Sequence, residues 1–136
     1  MSDSQHPDRE TITLSFPVNA AYVSAARLTA SSIANRMGFD IDEIEDVKAA
    51  VSEACTYLIK KNAPGGDGVF GVDFQLEGGE LEIHITSGSF LAVTAGDGDM
   101  GLMMIKALMD QLTLEPAESG KTVIVMRKTH KPVLFE

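Results

Sequence analysis

Basic residues are in short supply: 11 Lys and Arg stand against 20 Asp and Glu, a formal net charge of −9 at pH 7. A surface that negative repels phosphate backbones, so no nucleic-acid partner is expected. Cysteine is nearly absent. Cys55 stands alone, which excludes an intrachain disulfide and fits a reducing compartment, the cytoplasm. No uninterrupted apolar run approaches the roughly 20 residues that span a bilayer, so no membrane partner is expected either. The opening stretch Met1 to Glu10 is polar and acidic, lacks the apolar centre of a signal peptide, and reads as a flexible leader. His6, His84 and His130 lie far apart and have no paired cysteines beside them, so zinc spacing is missing. There is no internal repeat and no low-complexity tract. What remains is globular material: 44% hydrophobic and 23% charged residues over 136 positions. That is one domain's worth, expected to span residues 11–136.

Thr11 to Phe16 alternates, with Ile12, Leu14 and Phe16 on one side, and reads as a half-buried strand closed by Pro17. Asn19 is placed to cap a helix carrying Tyr22, Val23, Ala26, Ala30 and Ile33, and Gly38 to end it. Asp40 and Glu43 form a capping-box pair before a second helix. Its apolar stripe is Ile44, Val47, Val51, Ala54 and Leu58, with Asp46, Ala50, Glu53, Tyr57 and Lys60 on the other face. Phe70 to Leu76 and Leu81 to Ile85 alternate and are joined as a hairpin by Glu77-Gly78-Gly79-Glu80. A glycine-rich stretch from Ser87 to Gly101 leads into a third helix with Leu102, Ile105, Leu108, Met109 and Leu112 inward. Leu112 to Leu114 starts a further strand, Glu118 to Lys121 turns the chain, and Thr122 to Met126 is a β-branched last strand. The order predicts an α/β two-layer sandwich, with helices on one face of a mixed, mostly antiparallel sheet.

Few motifs carry chemistry. Gly96-Asp97-Gly98-Asp99-Met100-Gly101 matches the dinucleotide pattern G-x-G-x-x-G literally, but no strand directly precedes it and no parallel βαβ unit follows. Two narrower readings remain open: an anion site at the helix start, or a glycine turn with Asp99 as N-cap. Asp97 and Asp99 resemble a calcium loop, yet Leu108 falls where the bidentate glutamate belongs. Met100, Met103, Met104 and Met109 cluster on or beside the third helix, where core filling is expected and a partner surface is the alternative. Glu53 sits mid-helix among small and apolar residues, one turn before Tyr57. It is either a general base beside a nucleotide or a solvated carboxylate near Lys60 and Lys61.

The runs Phe16 to Val23, Arg27-Leu28-Thr29 and Arg36 to Phe39, followed by Ile44 to Thr56, resemble anti-sigma-factor serine kinases of the RsbW type. These belong to the GHKL (Bergerat-fold) ATPases, and the likeness covers about residues 11–128. The resemblance implies that Glu53 holds the position of the family's catalytic glutamate, which activates a substrate serine. It places Tyr57 where the family has a magnesium-binding asparagine, and a neutral phenol is a poor magnesium ligand. Ser87, before Gly88, stands where an aspartate reads the adenine amino group. Only nine residues separate Gly88 from Gly98, short for the family's loop over the phosphates. Gly98-Asp99-Met100-Gly101-Leu102 resembles the glycine motif that opens the last helix, and Gly120-Lys121-Thr122 the final Gly-Thr motif.

Taken together, the resemblance implies an anti-sigma-factor-like regulator in transcription control, with a degenerate ATP-binding site. Its expected partners are a sigma factor, that factor's protein antagonist, or both, and it is expected to form a homodimer. No metal or cofactor is expected, ATP and magnesium being the possible exceptions. The alternative function is an active ATP-dependent protein serine kinase of the partner-switching type.

Overall fold

The computed structural model describes residues 9–61, 68–87, 100–116 and 122–131. Five strands and three α-helices follow the order β1 (Glu10–Pro17), α1 (Val23–Arg36), α2 (Ile41–Lys61), β2 (Val69–Glu77), β3 (Glu80–Ser87), α3 (Met100–Leu108), β4 (Gln111–Pro116) and β5 (Thr122–Thr129). They build one sheet in the order β1-β2-β3-β5-β4, with the helices as the second layer. All four strand pairings are antiparallel. The expected "mixed" sheet is therefore corrected to a wholly antiparallel one. A parallel pair needs a crossover between its strands; here β5 enters beside β3 pointing the opposite way.

Local chemistry explains the boundaries. Asn19 accepts from the Ala21 N–H at 2.8 Å and caps a single 3₁₀ turn, Ala20–Tyr22, which runs on into α1. Gly38 adopts φ 89°, a left-handed conformation that glycine reaches without strain, and α1 stops there. The capping box before α2 is complete: Asp40 N–H donates to Glu43 Oε1 at 2.8 Å, and Glu43 N–H donates to Asp40 Oδ1 at 2.7 Å. The β2–β3 hairpin closes at the Glu77↔Glu80 pair, with Gly78 at φ 61°.

Strand alternation sets the core. Phe70, Val72, Phe74 and Leu76 on β2, Leu81, Ile83 and Ile85 on β3, and Ile124 and Met126 on β5 are all buried under the helices. Helix α2 is the central helix, packing against α1, α3, β2 and β3. Its buried arc is accordingly wider than one stripe. Ala50 and Tyr57, expected on its outer face, are 0% and 3% exposed. Neighbours on both flanks cover what a single-partner helix would leave to solvent. Methionine is corrected in the opposite sense. Met109 fills the core, whereas Met100, Met103 and Met104 are exposed. Among the described residues no helix is long and apolar enough to cross a membrane.

The C-terminal end of β5 is tied to the start of α2. His130 Nδ1 lies 2.7 Å from Glu43 Oε1, the Lys131 N–H donates to Glu43 Oε2 at 3.1 Å, and the His130 ring stacks on Phe39. Burial pushes the Glu43 carboxyl up, but the Asp40 and Lys131 backbone N–H groups and the His130 ring outweigh it. The net effect holds Glu43 below its ordinary value of 4.5. Glu82 is lowered too: burial opposes ionisation, and bonds from His84 and Arg127 overcome it. A carboxylate with a depressed folded-state pKa contributes stability above its unfolded pKa and loses it as pH falls through the folded value. Between pH 7 and 5.5 these two groups should therefore contribute in full and add no pH dependence, and denaturation midpoints should fall below about pH 4.5 as that contribution is lost. Glu43→Gln should lower stability by about 1 kcal/mol at neutral pH and flatten part of that acid limb. An acid limb identical in wild type and variant would contradict the assignment.

Candidate nucleotide site and partner surface

Four contacts tie the helices to the sheet. Glu43 and Asp46, in the first half of α2, reach the C-terminal end of β5 through His130 and Lys128. The second half of α2, with Glu53 and Tyr57, thus points toward the start of β5, at Thr122. The Lys128 ammonium donates to the Leu108 carbonyl at 2.6 Å, and the Asp110 N–H to the Arg127 carbonyl at 2.9 Å. These contacts pin the C-terminal end of α3 beside the end of β5, so its first turn, with Gly101 and Leu102, points toward the start of β5. The β3–β5 register pairs Thr86 with Val123, which brings the end of β3, at Ser87, alongside Thr122. Glu53 and Tyr57 thus lie in the half of α2 away from the C-terminal end of β5, Gly101 and Leu102 in the first turn of α3, and Ser87 and Thr122 beside each other at the joined ends of β3 and β5. Gly88 and Gly98 lie outside the described residues, as do Asp99 and the Glu118–Lys121 turn.

These residues differ in what they offer. Glu53 is half-buried on α2. Thr122 is 8% exposed. Leu102 packs against the core. Tyr57 is 3% exposed and part of the main core cluster, and its phenol oxygen is buried as well. A magnesium ion needs hard oxygen ligands and keeps several of its waters. A buried phenol meets neither requirement, so the residue present at this position does not fit the metal. Among the described residues, no group of three or more His, Cys, Asp and Glu side chains is arranged to hold a metal ion.

The far end of α2 holds what sequence reasoning missed. His130 is a half-buried partner of Glu43. Lys128 lies at an inward β5 position, 9% exposed, between the Leu108 carbonyl and Asp46 Oδ2, the latter at 3.5 Å. His84 is half-buried and bonded to Glu82. Cys55 is fully buried in α2, and burial pushes its thiol up to about 12.

A second feature lies at the opposite edge of the sheet. Among the described residues, strand β1 pairs with β2 alone and has no strand on its other side. A crevice of about 800 Å³ runs between β1 and α1, lined by Ile12, Leu28, Thr29, Ser32, Ile33 and Arg36 among others. Ile12 and Leu28 are 36% and 62% exposed there.

A single layer of helices on an antiparallel sheet, with a central helix packed between two others, is consistent with an ATPase domain of the GHKL type. Residues 16–128 match the histidine kinase-like ATPase domain family. The chain belongs to that family and, within it, to the RsbW type of GHKL protein. It is 34% identical over 137 residues to a serine-protein kinase RsbW of Halalkalibacterium halodurans, covering 88% of this chain and 83% of that protein. Proteins of the same name from Bacillus pumilus and Bacillus cereus are each 35% identical, covering 87% of this chain and 85% and 84% of theirs.

Proposed function

We propose that this chain is a cytoplasmic regulator of the partner-switching type that holds a sigma factor, or the sigma factor's protein antagonist, and makes little use of ATP. One observation carries the second half: the side chain at the magnesium position is a buried tyrosine, part of the core cluster. Ser87 in place of an aspartate, and the short stretch from Gly88 to Gly98, point the same way from the sequence. The first half is supported by the likeness to proteins named serine-protein kinase RsbW. In this reading residues 11–136 act as one domain, and Glu53 keeps its place in the fold without its role in catalysis.

Phosphoryl transfer from ATP to a purified antagonist protein tests the proposal. The regulator reading expects no transfer above background, with antagonist or sigma-factor binding unchanged in Glu53→Gln. A second reading, the active kinase, is favoured by Glu53 itself, which is kept at the family's catalytic position and is not fully buried. It predicts transfer that Glu53→Gln abolishes.

The open edge of β1 and the apolar rim beside it supply the dimer surface in this proposal. An uncovered edge strand invites pairing, and a second copy covers both edges through one two-fold interface. Sedimentation at high micromolar concentration should give twice the 14.6 kDa chain mass. Leu28→Glu should shift the population toward monomer, because it places a charge on the 62%-exposed apolar rim. Wild-type protein that stays monomeric would contradict the assignment.

A further inference from the structure

Of the seven methionines, three stand on the outer side of α3: Met100 at 76%, Met103 at 62% and Met104 at 45% exposure. Spacings of three and four residues align them in one stripe, which exposed Ala107 continues. The opposite side of the same helix faces the core, with Ile105 at 0% and Met109, just past its end, at 5%. Met126 on β5 is 0% exposed. Among the described methionines, these three are exposed, Met109 and Met126 are hidden, and Met37 is half-buried.

The lone thiol does not compete for oxidants. Cys55 is 0% exposed, and its raised pKa keeps it in the unreactive thiol form. Thioether sulfur needs no deprotonation, so its reactivity follows accessibility alone. Methionine on α3, not cysteine, is therefore the oxidant-sensitive chemistry that the described fold presents.

We propose that Met100, Met103 and Met104 form a reversible oxidation site for hydroperoxides, which switches the outer face of α3 from apolar to polar. In each event a sulfur lone pair attacks one peroxide oxygen, an S–O bond forms and the O–O bond breaks. The sulfur is oxidised by two electrons to the sulfoxide, and hydrogen peroxide is reduced to water. The change falls on the first two turns of α3, where Gly101 and Leu102 also lie. It acts on this face whether or not ATP binds at the neighbouring sheet end.

Graded treatment of the intact folded protein with hydrogen peroxide, followed by peptide mass mapping, tests the site. One oxygen should be added at each of Met100, Met103 and Met104 at least about tenfold faster than at Met109 and Met126. Retention on a hydrophobic-interaction column should fall as these three react. Methionine sulfoxide reductases A and B together should restore it, one enzyme serving each sulfoxide epimer. The triple variant Met100→Leu, Met103→Leu, Met104→Leu should keep its retention through the same treatment. Equal rates at exposed and buried methionines would overturn the proposal. So would unchanged retention once the outer three are sulfoxides, or loss of the far-ultraviolet circular dichroism at that stage.

Discussion

Tyr57→Asn should lower the stability of the folded chain by about 3–5 kcal/mol, the range for truncating a buried aromatic side chain. The ring is 3% exposed on the central helix, surrounded by a core cluster that includes Ala54, Leu58 and Ile85. Asparagine would leave a void where the ring sits and bring an amide into an apolar setting that gives it few partners. Against a typical total of about 5–15 kcal/mol, that is a large fraction of what holds the domain folded. Glu53→Gln, one turn away on a half-exposed flank, should stay within about 0.5 kcal/mol of wild type. Urea denaturation of the two variants side by side makes the comparison. If Tyr57→Asn proves as mild as Glu53→Gln, the ring is not packed as described and the metal position is more open than the fold implies.

The second large effect concerns nucleotide affinity. Restoring both family side chains, Tyr57→Asn with Ser87→Asp, should tighten binding of ATP and magnesium by at least about tenfold, or 1.4 kcal/mol. The gain should exceed that of either single change, because one residue would serve the metal and the other the adenine, opposite ends of one ligand. Since Tyr57→Asn weakens the fold, the titration belongs at low temperature, with circular dichroism showing that the variant is still folded. A double variant that is folded and binds no better than wild type would place the loss of affinity elsewhere in the chain.

Much of this architecture was legible from local pattern. Alternation at Phe70 to Leu76 and Leu81 to Ile85 located the central strands, and Asp40 with Glu43 located the start of α2, because both signals act over a few residues. The burial of Tyr57 was not legible. A helical stripe records one packing direction, while α2 is packed by α1, α3 and the sheet at once. The same limit hid the methionine face. Apolar residues circle most of α3, and only the three-dimensional placement shows that Met109 faces the core and Met103 faces solvent. His130 and Glu43 are 87 positions apart, and nothing in either neighbourhood announces the other. For the candidate site, the residue types at Glu53, Tyr57, Ser87 and Thr122 could be read by resemblance, but that Ser87 lies beside Thr122 depends on the β3–β5 register, which no local pattern records.

In the proposed reading the fold of an ATPase is kept here while its grip on ATP is not. Isothermal titration of the wild-type protein with ATP and magnesium tests it most directly. A Kd of about 1 mM or weaker is predicted, corresponding to no more than about 4 kcal/mol of binding free energy. Stabilisation would then be only about 0.4 kcal/mol when free ligand equals Kd. A micromolar Kd would contradict the account and return the chain to the active kinases.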